Sequence, residues 1–83
     1  MASFVLLIKE SEDENSIIYK FGPDEQIMGR IEFDKKTEIF NELEPVPDKE
    51  RSSQFYFKRA VQRLGKCYVH EGGIFPDRTA FQS

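Results

Sequence analysis

The first half of the chain has the pattern of apolar and polar positions that is typical of β-strands. The run Phe4–Ile8 is continuously apolar, too short for a helix and bulky throughout, as in a strand covered on both faces. Three further strand-like segments follow before residue 45, separated by charged residues or by Gly-Pro-Asp turn chemistry. The four predicted strands are Phe4–Ile8, Ile17–Phe21, Gln26–Asp34 and Thr37–Glu44.

The turn between the third and fourth predicted strands decides which side chains share a face. A three-residue loop over Asp34–Lys36 would pair Ile31 with Ile39 and keep apolar side chains together. A two-residue turn would instead place Phe33 opposite Glu38, so the longer loop is favoured. This register predicts an acidic outer face on the hairpin, formed by Glu32, Asp34, Glu38, Glu42 and Glu44.

A linker with two prolines follows the predicted sheet. Pro45 and Pro47 are incompatible with both helix and ladder hydrogen bonding, so residues 45–51 are predicted to be extended. The linker divides a β-rich segment, residues 1–44, from a helical C-terminal part.

Beyond the linker, apolar side chains recur at helical spacing and predict a helix over residues 52–71. Gly72 and Gly73 form its natural stop. Gly65 is the alternative stop, in which case residues 66–71 would form a strand that turns at the two glycines. The longer helix is favoured because the apolar face continues past Gly65. That face comprises Tyr56, Phe57, Ala60, Val61, Leu64, Cys67 and Tyr68.

These elements predict a single α+β domain over residues 1–83. Its architecture would be a four-stranded antiparallel β-meander, with the C-terminal helix packed on the sheet. The remaining residues, 72–83, are expected to form an extended tail held by the rings of Phe75 and Phe81.

Composition excludes several classes of protein. A chain of 83 residues buries only one thin core, which leaves little room for a large enclosed active site. One cysteine and one histidine cannot build a disulfide framework or a zinc-finger site, and no cofactor motif is present. Cys67 and His70 are three residues apart, but Cys67 lies in the apolar helix face, where a thiol is inert. We therefore expect no enzymatic activity.

The amino-acid sequence also indicates where the chain functions in the cell. The N-terminus lacks the basic and long apolar regions of a secretory signal, and no apolar run is long enough to span a membrane. A cytoplasmic location without membrane contact is therefore the expectation.

The formal net charge of −3 conceals a strong division along the chain. Residues 1–50 carry a net charge of −7, whereas residues 51–83 carry +4. Most of the positive charge falls on the predicted helix, opposite its apolar face, and one aromatic ring lies among the bases. This candidate partner-binding face comprises Phe55, Lys58, Arg59, Gln62, Arg63 and Lys66.

Two functional hypotheses arise from this face. The first is a small non-enzymatic protein-binding module, acting as a regulator, inhibitor or accessory subunit, since arginine and aromatic residues are enriched at binding hot spots. Pairing of two copies through a strand edge, giving a homodimer, belongs to this hypothesis. The alternative is a nucleic-acid-binding protein that uses the basic helix face, but the acidic net charge opposes phosphate binding. A third interpretation assigns no binding function to this face: it is solvated, and its bases reach over the acidic sheet of the same molecule.

Overall fold

A computed structural model describes residues 4–82 as an antiparallel sheet with one helix packed across one face. The predicted α+β class and the meander order are confirmed, although the sheet has five strands rather than four. The strands lie in the order β4-β3-β2-β1-β5. Residues 1–3 and Ser83, which the predicted sheet and tail segments include, lie outside the described residues. The elements are β1 (Phe4–Glu12), β2 (Ser16–Asp24), β3 (Ile27–Asp34), β4 (Ile39–Glu44), α1 (Ser53–His70) and β5 (Arg78–Gln82).

The additional strand, β5, lies in the predicted tail. It pairs antiparallel with β1, and its start is fixed by two hydrogen bonds from the sheet. The Tyr19 hydroxyl donates to the carbonyl oxygen of Pro76, and the backbone N–H of Lys9 donates to the carbonyl oxygen of Asp77. The tail is thus extended and held by Phe75 and Phe81, as predicted, but it completes the sheet instead of only crossing it.

The predicted register of the β3–β4 hairpin is wrong. The loop has four residues, 35–38, so Phe33 pairs with Phe40 and Asp34 with Ile39. Asp34 stabilises this turn, because its carboxylate accepts the backbone N–H groups of Lys36 and Thr37 at 2.9 and 3.2 Å. The rings of Phe33 and Phe40 lie 4.7 Å apart, a contact that the shorter loop would not allow.

This register exchanges the two faces of β4. Ile39 and Leu43, predicted to face the core, lie on the outer face and are 54% and 44% exposed. The prediction that all five hairpin carboxylates point outward is wrong for two of them. Glu42 accepts a hydrogen bond from Ser53 at the start of α1, and Glu38 accepts one from Tyr68 near its end.

The linker crosses the side of the sheet that faces the helix. It contributes a buried apolar side chain to the core, whereas no side chain of β4 is fully buried. Val46 is only 4% exposed, and its backbone N–H donates to Ser53 Oγ at 2.8 Å. Gly29 lies directly beneath this crossing. A Cβ atom there would come within 2.3 Å of the carbonyl oxygen of Glu44, so the linker needs glycine at this position.

The predicted helix is confirmed to within one residue at each end. It runs through Gly65 and stops before Gly72 and Gly73, which have φ angles of 72° and 74°. Positive φ favours glycine because it has no Cβ atom, so these two residues turn the chain toward β5. The helix buries Tyr56, Ala60, Leu64 and Cys67 against the sheet.

The buried apolar side chains form one core cluster, which includes residues from Val5 in β1 to Phe75. At the helix C-terminal end, Phe33 is surrounded by the rings of Phe40, Tyr68 and Phe75, at centroid distances of 4.7, 5.1 and 5.7 Å. Within residues 4–82, no helix is both long enough and apolar enough to cross a membrane.

Candidate functional site: the basic face of the helix

The structure divides the six predicted partner-binding residues of α1 into three that are exposed and three that are half-buried. Three of them are separated by four residues each, so they form one stripe along the helix. All three of these side chains, Lys58, Gln62 and Lys66, are exposed. The other three, Phe55, Arg59 and Arg63, are half-buried and make contacts within the chain.

Phe55 and Arg59 form a stacked pair at the N-terminal end of this basic face. The Arg59 guanidinium lies 3.7 Å from the centre of the Phe55 ring and donates to the Phe55 carbonyl oxygen at 3.0 Å. Arg51 lies 4.4 Å from the same ring centre. Phe55 is therefore held by cation–π contacts and presents only part of its ring to solvent.

Arg63 connects the helix to the C-terminal segment. Its Nε donates to Thr79 Oγ1 on β5 at 2.9 Å, and its Nη1 donates to Glu71 at 2.9 Å. The bond from Arg63 lowers the pKa of the Glu71 carboxyl group. Arg59 and Arg63 thus point to different partners, which reduces the repulsion expected between bases four residues apart.

The acidic and basic residues, which are separated along the sequence, are also separated in the folded protein, where the sheet is acidic and the helix is basic. Within residues 4–82, the ion pairs of the sheet carboxylates involve bases of strands and turns: Arg30 contacts Glu10 and Glu44, and Lys35 contacts Glu12. Among the bases of α1 in that range, only Arg63 forms an ion pair, with Glu71. Within the described residues, the helix bases therefore make no ion pair with the carboxylates of the sheet, and the charges of Lys58 and Lys66 face solvent.

A groove of about 480 Å³ runs between the helix and the edge strand β5. Gln62, Arg63 and Lys66 form its helix side. Residues 80–82 form the strand side, and Glu71 also lines the groove. Half of the predicted binding residues thus face a depression whose other wall is a strand that the sequence did not predict.

The strand residues of this groove were missed although they carry a weak signal. In residues 78–82, Thr79 and Phe81 alternate with Arg78, Ala80 and Gln82, and both face the core side of the sheet. Alternation over only five residues is weak evidence for a strand, so the segment was predicted only as an extended tail held by the rings of Phe75 and Phe81.

A second depression, of about 490 Å³, lies at the start of the helix near the linker. The Tyr56 hydroxyl at its wall donates to the Asp48 carboxylate. Burial and this carboxylate raise the pKa of Tyr56 to about 12, while the hydroxyl lowers the pKa of Asp48. This pair stabilises the junction between linker and helix.

Cys67 and His70 do not form a reactive pair in this arrangement. Cys67 is fully buried against the sheet, and its burial raises the pKa of the thiol, whereas His70 is exposed. Within residues 4–82, no group of three or more His, Cys, Asp or Glu side chains is placed to hold a metal ion.

We expect the Cys67 thiol to be unreactive in the folded protein, because both its burial and its raised pKa suppress the thiolate. Titration with a chromogenic thiol reagent at pH 7.5 should show negligible labelling of the native protein. In denaturant the same reagent should label one thiol rapidly. Rapid labelling under native conditions would reopen the case for a thiol-dependent enzyme.

A scan against protein-family models finds no match, and no curated protein or solved structure is significantly similar to this chain.

Proposed function

We propose that this chain is a small non-enzymatic protein-binding module, acting as a regulator, inhibitor or accessory subunit in the cytoplasm. Its docking surface would be the basic face of α1, and its partner would present an acidic surface. The observation that carries this proposal is the exposure of Lys58 and Lys66, which make no ion pair with the acid-rich sheet within residues 4–82. Stacked Phe55 and Arg59 add the aromatic and guanidinium groups that protein interfaces favour.

The double charge reversal Lys58→Glu with Lys66→Glu tests this proposal. Partners are first isolated from a native cell extract with the wild-type protein, and the affinity of each purified partner is then measured by calorimetry. We expect the variant to bind at least about tenfold more weakly, because each reversal turns an attraction into a repulsion. Raising the salt concentration should weaken wild-type binding as well.

The matched control is Lys20→Glu with Lys36→Glu, which changes the net charge equally. Lys20 and Lys36 are also exposed, but they lie on the sheet and in the β3–β4 loop, outside the basic face of α1. The control should bind like the wild type. Equal binding by all three proteins would exclude the helix face as the docking surface.

Nucleic acid is the competing ligand for the same face, and a gel shift at low salt decides between them. Binding to single- or double-stranded nucleic acid that disappears with added salt and with the Lys58/Lys66 reversal would favour that alternative.

A further inference from the structure

The open edge of β5 carries backbone groups that no strand within residues 4–82 pairs. Lys9 donates its N–H toward the β5 side of β1, and alternate residues of an antiparallel strand point their backbone groups to the same side. Because Thr79 pairs with Leu7 and Phe81 with Val5, these two residues of β5 direct their N–H and carbonyl groups toward β1. Arg78, Ala80 and Gln82 direct theirs outward, where an added strand would find them.

The helix places positive charge beside this edge. Gln62 and Lys66 line the groove next to residues 80–82, and Lys58 continues the same stripe one turn toward the helix N-terminus. Glu71, the acid at the groove, is paired with Arg63. A strand added to β5 would thus direct every second side chain toward exposed ammonium groups of α1.

Charge selects β5 over the other sheet edge and opposes symmetric pairing of two copies of this chain. The opposite edge strand, β4, carries Glu42 and Glu44, which would repel an acidic segment. Pairing of two β5 strands would bring two basic helix faces together, and pairing of two β4 strands would bring two acidic ones together. Both homotypic contacts are therefore opposed by like charge.

We infer that β5 accepts an extended acidic segment of a protein partner as a sixth strand, with its carboxylates directed toward Lys66 and Lys58. This inference rests on the proposed function and specifies how the partner binds. Main-chain hydrogen bonds to Ala80 and Gln82 would provide affinity, and the helix bases would select acidic side chains, as in other cases of strand addition.

The probe is a synthetic peptide of about seven residues that alternates glutamate with valine. Its counterpart has lysine in place of glutamate. Nuclear magnetic resonance titration of the labelled wild-type protein should show saturable shifts of the Ala80 and Gln82 amides with the acidic peptide. Both amides should also exchange more slowly with solvent. The lysine peptide should produce neither effect, and absent protection at these two amides would overturn the inference.

Ala80→Pro removes the central outward N–H and places a ring on the open edge, while the bonds of Thr79 and Phe81 to β1 remain. Ala80→Ser is the matched control because it keeps the N–H. We expect Ala80→Pro to weaken acidic-peptide binding at least about tenfold and Ala80→Ser to leave it unchanged. Unchanged β1 amide spectra in both variants show that the fold persists, and the wild-type exchange experiment tests the inference independently of the variants.

The outcomes separate this inference from the proposed function. If the Lys58/Lys66 reversal weakens partner binding while Ala80→Pro does not, the docking surface stands and the sixth strand is wrong. If Ala80→Pro alone matters, the edge binds without selecting acids, and the charge argument is wrong. If the wild type forms dimers that Ala80→Pro abolishes, a second copy occupies the edge and the inference is overturned.

Discussion

Replacement of Phe33 by alanine is expected to remove a large share of the stability of this protein. Phe33 is 2% exposed, and its ring contacts three others that come from β4, α1 and the segment before β5. Truncation of a buried phenylalanine costs about 3–5 kcal/mol. A domain of this size is stable by roughly 4–12 kcal/mol, so Phe33→Ala should lower its free energy of unfolding by about a third or more.

Urea denaturation followed by circular dichroism measures this loss directly. The matched control is Phe4→Ala, which removes the same atoms from a ring that is 44% exposed on the outer face. We expect the control to cost less than about 1.5 kcal/mol, since an exposed ring has little transfer free energy to lose. A similar loss in both variants would contradict the central place that the structure gives to Phe33.

The helix and the strand order could be predicted because their signals are long and local. The apolar face of α1 repeats over five turns, and Gly72 and Gly73 supply the backbone conformation that ends it. Gly65 was a weaker stop because its position faces open space, where a helix tolerates glycine at a modest cost. Within the sheet, the charged residues 13–15 marked one reversal. The turn predicted at Gly22 and Pro23 is wrong, because both residues lie inside β2 and the chain reverses at residues 25–26, where the Asp24 carboxylate accepts the N–H groups of Gln26 and Ile27.

The register of the last hairpin could not be predicted because it depends on a segment outside the hairpin. Pairing apolar with apolar residues favoured Ile31 opposite Ile39, which would have placed Ile39 in the core. In the structure, Val46 of the linker is buried in the core instead. Phe40 then becomes the inward residue of β4. A pairing rule that considers two strands alone does not include this long-range competition.

The candidate site was predicted in composition but not in shape. The spacing of the bases correctly placed Lys58, Gln62 and Lys66 on one exposed stripe. It did not show that Arg63 forms hydrogen bonds with Thr79 and Glu71, because both of these residues follow the helix in the sequence. The groove also requires β5, whose alternation is too short to be distinguished from an extended tail.

The second large effect on stability is expected at Gly29, which lies beneath the linker. The same glycine-to-alanine substitution at Gly29 and at Gly65 isolates the contribution of the linker contact. Gly29→Ala would place a Cβ atom 2.3 Å from the carbonyl oxygen of Glu44 and 2.8 Å from the backbone nitrogen of Val46. Both are backbone atoms, so the linker must move away from the sheet, and we expect a loss of about 1–3 kcal/mol. A Cβ atom at Gly65 meets nothing within 4 Å. Gly65→Ala should therefore stabilise the protein by about 0.5–1 kcal/mol through the higher helix propensity of alanine.

Thermal denaturation should show the two substitutions moving the midpoint in opposite directions. For a domain of this size, each kcal/mol shifts the midpoint by roughly 4–8 °C, so the two variants should differ by about 6 °C or more. The difference measures the close approach of the linker, because the same methyl group is added in both cases. If Gly29→Ala proved neutral, residues 44–46 would not lie against β3, and Val46 would lose its place in the core. The opposite sign at Gly65 also makes that variant a stable background in which to test the binding surfaces of the helix.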